Sequence, residues 1–131
     1  MTLVPKNMDL RYLINQAKDF KQAGKLANAL SCYQAVMDQL CSEATEHARS
    51  YPDSYFDIKE QVRRFSPKYF EYADSYLKRD NLASVVSNNI GVIFAELQNF
   101  DSAKKYFLEA MKYTPEGEIY LEPEINLRNL E

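Results

Sequence analysis

The chain has no tryptophan, one histidine, two cysteines and three glycines among its 131 residues. One imidazole and two thiols are too few for a Cys/His zinc site or a disulfide framework. Three glycines and five prolines argue against a turn-rich all-β protein and against low complexity. No apolar run approaches the roughly 18 residues of a membrane span. The opening MTLVPKNMDLRY lacks the basic start, apolar centre and small-residue cleavage site of a signal peptide. Positive charge is outnumbered, 16 Lys and Arg against 19 Asp and Glu: the net charge is −3, which argues against nucleic acid or an anionic membrane as the main partner. There is no Gly-rich phosphate loop, calcium loop or G-x-S-x-G nucleophile motif.

What is present is a folding composition, 46% apolar and 27% charged. Helical periodicity dominates it. Leu10, Leu13, Ile14, Ala17 and Phe20 share one face of a helix, and Arg11, Asn15, Lys18, Gln22 and Lys25 form a separate polar stripe. Asn7 or Asp9 suits the cap, and Gly24 suits the left-handed close. Leu26, Ala29, Leu30, Tyr33, Val36, Met37 and Leu40 define a second helix. It follows with almost no connection, so the two must pack antiparallel. This helix can run on to just before Pro52. Ser54 is then expected to cap a helix ending near Phe65. Ser66-Pro67 starts another, to about Arg79. Asp80-Asn81 introduces a helix over 82–97, and Asp101 opens one that runs to about Tyr113. No segment alternates long enough to predict a strand. The chain therefore reads as a single all-α domain: a hairpin over 10–43, an irregular helical segment over 44–81, a second hairpin over 82–115 and an acidic tail over 116–131. Pro123 can start a short helix in that tail. Whether the final Leu-Glu is native stays open.

Residues 84–115 carry a repeat signature. Ile90-Gly91-x2-Phe94 is followed by Phe100-x2-Ala103-x3-Phe107-x2-Ala110 and a closing Pro115. Gly91 and Ala103 are small where two helices would cross closely, and Phe94 and Phe107 would fill the space beside the crossing. The segment resembles a tetratricopeptide repeat, with Ser87 where that family often has tryptophan. Ala17-x2-Phe20 and Leu26-x2-Ala29-x3-Tyr33 resemble the same pattern, with Gly24 in the turn, Gln16 in place of leucine and no closing proline. Ser66-x3-Phe70-x2-Ala73 mimics half of a further unit. Residues 10–50 also resemble the first hairpin of a microtubule-interacting-and-trafficking domain, which leaves 84–115 unexplained. The repeat resemblance implies a short right-handed stack of antiparallel helical hairpins, a TPR-like α-solenoid of about six helices plus a tail or capping helix.

The side chains give little support for catalysis. His47 lies among polar residues and is expected to be an exposed helical histidine without a partner. Cys32 and Cys41 point to opposite faces of one helix, and two free thiols fit a reducing, cytoplasmic setting. Paired acids such as Glu43 and Glu46, or Glu116 and Glu118, fit a solvated surface better than acid–base pairs. The chain is therefore expected to be non-enzymatic, with no cofactor and no metal. Of the ten tyrosines and seven phenylalanines, eight cluster between Tyr51 and Tyr76, where some must face solvent or another chain.

In the resembled family, the first helices of successive hairpins line a concave groove for partner segments. Carried over by motif, that groove comprises Arg11, Ile14, Lys18, Lys21 and Gln22 of the first unit and Val85, Asn88, Val92, Ala95 and Glu96 of the last. One set is mostly basic and the other mostly apolar, which suits a segment with an acidic part and an apolar part. The family's carboxylate clamp is not expected, because its first-unit positions carry Ile14 and Lys18. The expected partner is a protein or peptide. The alternatives are a small secretion-type chaperone shielding an apolar segment and a homodimer built through the tyrosine-rich middle.

Overall fold

A computed structural model of the chain describes residues 9–54, 57–59 and 62–130. Helix α1 spans Leu10–Gln22, opened by the Asp9 carboxylate, which accepts from Arg11 N–H at 2.9 Å. Asn7, the other candidate cap, lies outside the described residues. The helix closes at Gly24, whose φ of +77° costs little only because it has no Cβ. There the Gly24 and Lys25 amides turn back to the Lys21 and Phe20 carbonyls.

Helix α2, Leu26–Arg49, has 24 residues and is therefore about 36 Å long. It is far longer than α1, and its buried stripe, Ala29, Tyr33, Val36, Met37, Leu40, Ala44 and Ala48, runs its whole length. The first half of α2 pairs with α1 across the Gly24 turn. The second half receives α3, Pro67–Lys78: Tyr76 donates to Glu43 at 2.9 Å, and Tyr72 stacks on Tyr51 with ring centroids 4.0 Å apart.

The helix expected after Ser54 does not form. Pro52–Ser54 is a single 3₁₀ turn, and an antiparallel pair follows, β1 (Asp57–Lys59) and β2 (Val62–Arg64), with Ile58 opposite Arg63. The reason is local. The Ser54 hydroxyl is buried and donates backward, to the Ala48 and Tyr51 carbonyls, so the side chain is turned onto the end of α2 rather than onto the segment ahead. Ile58 and Val62 are β-branched and favour the extended chain. The remainder of the expected helix lies outside the described residues.

Helix α4 (Leu82–Glu96) and helix α5 (Phe100–Lys112) form the second hairpin. They are joined through Gln98 at φ +62° and through Asn99, whose side chain accepts from Ser102 N–H. Helix α4 is the centre of the molecule. Ala83, Ser84, Val86, Ser87, Asn88, Ile90, Gly91 and Ile93 are all buried, a set that covers well over half of the helix circumference and leaves Val85, Asn89 and Val92 on the remaining side. Its contacts go to α2, α3, α5 and α6. Against α2, the Ser87 hydroxyl meets the Met37 sulfur at 3.8 Å. Against α5, Gly91 lies so close to Phe107 that a Cβ there would stand 2.6 Å from the ring. The tail is not extended: helix α6, Glu122–Asn129, seats itself on α5 and α4. The described residues thus comprise six α-helices and one short β-hairpin.

Tyr113 closes α5 against the junction of α2 and α3. Burial pushes its hydroxyl up to about 12, with the Glu109 and Asp74 carboxylates and Cys41 adding to the shift.

Candidate functional site

The face of α1 that carries Lys18 and Lys21 looks across a gap at α4. The two helices both rest on α2, and the side chain between them is Tyr33. The result is a cleft of about 320 Å³ lined by Lys18, Lys21, Gln22, Tyr33, Asn89 and Val92. Tyr33 is 2% exposed and forms the floor. Burial raises its pKa, and a hydrogen bond with the Asn89 side chain opposes that rise. At one end Lys21 Nζ pairs with Glu96 Oε1 at 3.2 Å, tying the last turn of α1 to the last turn of α4. Lys18 is exposed and has no ion-pair partner among the described residues. The cleft thus offers one engaged and one unengaged cation, two carboxamides, a phenol and an apolar wall at Val92.

Of the residues carried over from the repeat motif, Lys18, Lys21, Gln22 and Val92 meet in this cleft. Arg11 lies at the start of α1, outside it. Ile14 packs against the core. Val85 sits in the first turn of α4, away from the cleft lining. Ala95 and Glu96 join Val92 on the lining of a second cleft of about 310 Å³, shared with Phe100, Phe107 and α6. Asn88 departs from expectation: it is not open groove but 2% exposed, because α6 covers it. Its Oδ1 accepts from Asn126 Nδ2 at 3.0 Å, and its Nδ2 donates to Glu122 Oε2 at 3.5 Å.

Two cleft residues, Tyr33 and Asn89, were absent from the sequence-derived set. Tyr33 occupies an aromatic core position of the repeat motif, and nothing in its spacing shows that its hydroxyl end reaches a gap. Asn89 had a signal, since Asn88-Asn89 is the one pair of carboxamides inside the uncharged run 82–95.

No family model, curated protein or solved structure matches this chain. The reading of the cleft therefore rests on its own geometry. His47 is not the isolated exposed imidazole expected. It is half-buried, with the rings of Tyr51 and Tyr76 at 5.3 and 5.2 Å. Among the described residues no three His, Cys, Asp or Glu side chains converge as metal ligands, and no helix is long and apolar enough to cross a membrane.

Next to Asn88, Tyr120 donates to Glu122 at 3.3 Å, and burial together with that carboxylate holds its hydroxyl up at about 12. Tyr113 and Tyr120 therefore keep their protons in the folded chain where an unfolded tyrosine, near pH 10, has lost them. The folded state binds more protons in that window, so stability falls as pH rises from about 10 towards 12. Urea midpoints across this range should drop, and Tyr113→Phe should flatten the decline. An unchanged slope in Tyr113→Phe would show that other groups set the alkaline limit.

Proposed function

We propose that this chain is a non-enzymatic protein-interaction module, a short tetratricopeptide-like stack whose α1–α4 cleft takes an acidic segment of a partner protein. The stack reading draws support from the small residues of its motif. Ala17, Ala29 and Ala103 are each 0% exposed, and Gly91 is packed against Phe107, as close hairpin crossings require. The single observation that carries the functional reading is the cleft lining. Lys18 and Lys21 stand above a floor made by Tyr33 and Asn89, beside the apolar wall of Val92. Cations and amide donors over an apolar side suit a carboxylate flanked by an aliphatic residue. The phenol and carboxamide at the floor add orientation, which single surface charges do not supply.

The test is affinity for a panel of acidic peptides that each contain one large aliphatic residue. Each exposed ion pair is worth about 0–1 kcal/mol. Reversing both lysines, Lys18→Glu with Lys21→Glu, replaces attraction by repulsion and should weaken binding about tenfold or more. The wild-type affinity should fall with added salt, as expected for charges screened over about 8 Å near physiological ionic strength. Because Lys21→Glu also sets two carboxylates together at Glu96, circular dichroism must show that the fold is retained. Equal affinity in the reversed protein would remove the cleft as the site.

A further inference from the structure

The two lysines of the α1–α4 cleft are not equivalent. Lys18 and Lys21 lie one turn apart on α1, about 4.5 Å along the helix axis. On α4, Asn89, Val92 and Glu96 follow at helical spacing and share one side of the helix. Helices α1 and α4 each pack on α2 and not on one another. Their facing sides are joined by Lys21 Nζ and Glu96 Oε1 at 3.2 Å, with side chains 36% and 43% exposed. One end of the cleft is thus closed by a carboxylate of the chain itself. Lys18, which lines the cleft with Asn89 and Val92, has its charge free for an incoming group. Two ammoniums and one carboxylate leave the cleft with a single positive charge in excess.

We infer, resting on the cleft as the seat of a partner's acidic segment, that Glu96 sets its specificity: it holds Lys21 and limits the occupant to one carboxylate. That carboxylate goes to Lys18, an aliphatic side chain lies against Val92, and a neutral acceptor comes to Lys21. An ammonium has three donors, so Lys21 can keep Glu96 and still donate to a carboxamide or hydroxyl oxygen. A second carboxylate at Lys21 meets Glu96 instead. It must displace Glu96 or share the ammonium with it, and like charges held that close repel. The basic stripe of α1, by itself, favours any run of acidic residues. Glu96 turns that general attraction into discrimination, by opposing the second negative charge and leaving the first untouched.

The probes are two fluorescent peptides that differ in one side chain, with Glu-Leu-Gln or Glu-Leu-Glu at the centre of an otherwise neutral sequence. Each is titrated into the full chain. Wild type should prefer the Glu-Leu-Gln peptide by about three- to tenfold. Glu96→Gln keeps the size and shape of the side chain and removes its charge. It should raise affinity for the Glu-Leu-Glu peptide by about three- to tenfold, change the other by less than about twofold, and so erase the preference. Asp19→Asn removes an exposed negative charge of α1 that does not line the cleft, and should leave the preference as it is. Lys18→Gln should weaken both peptides alike. Equal affinity of wild type for the two peptides, or an unchanged preference in Glu96→Gln, would overturn the role of Glu96 while the loss in Lys18→Gln keeps the cleft as the site. A preference erased equally by Asp19→Asn would also overturn it, because net charge and not the hold on Lys21 would then set the choice. If Lys18→Gln weakens neither peptide, or neither binds wild type at about millimolar concentration, the cleft itself is not the site and the role of Glu96 falls with it.

Discussion

Replacing Phe107 with alanine should destabilise the protein by about 3–5 kcal/mol, the usual cost of emptying a buried aromatic site. Phe107 is 1% exposed, and its ring is pressed against Gly91, so the two positions are coupled. A Cβ on Gly91 would meet Phe107 Cε1 at 2.6 Å and Cδ1 at 2.7 Å. Gly91→Ala alone gains about 1 kcal/mol of helix propensity, but a buried ring that must move costs about 1–3 kcal/mol. The net change should be destabilising. In the Phe107→Ala background the ring is gone and the propensity gain should show, making Gly91→Ala neutral or stabilising there. Urea unfolding of the four proteins gives the coupling directly. The same ΔΔG for Gly91→Ala in both backgrounds would mean that the ring is not what requires glycine.

Ala103→Phe is the second large effect. Ala103 is 0% exposed where α5 crosses α4, so there is no room for a ring, and overpacking should cost about 1–3 kcal/mol or more. The control is Leu108→Phe on the same helix. Leu108 is 45% exposed, and a larger side chain there should change stability by no more than about 0.5 kcal/mol. If the two substitutions cost the same, α5 would be packed through a different face from the one described.

These two positions also show what sequence could reveal. Gly91, Ala103 and Phe107 stand out because spacing on one face of a helix translates directly into contact at a crossing, and both hairpins follow from such spacing. The Gly24 turn was legible for the same reason, since the residue type states the backbone angle. The segment after Pro52 was not. Ser54 ties back to the Ala48 and Tyr51 carbonyls, six and three residues earlier, and its residue type alone does not state whether it bonds backward or forward. Of the residues carried over from the repeat motif, Lys18, Lys21, Gln22 and Val92 line one cleft, whereas Asn88 is closed by a helix from the tail, a long-range event that no local pattern encodes. His47 was misjudged for a similar reason, because Tyr76 reaches it from another helix.

Residues 82–95 form a run without a single charge, buried among helices from both halves of the chain. During synthesis α2 and α3 emerge first and offer α4 a surface, but the side of α4 that faces α5 stays bare until α5 follows. At about 5–20 residues per second, the stretch from Leu97 to Lys112 takes about one to three seconds to appear. For that interval a helix with no charge before Glu96 is half uncovered. The ribosome-bound intermediate, not the finished fold, is therefore where this chain is most exposed to aggregation. Substitutions that slow α5 docking, Ala103→Phe among them, should lower soluble yield by more than their effect on equilibrium stability accounts for.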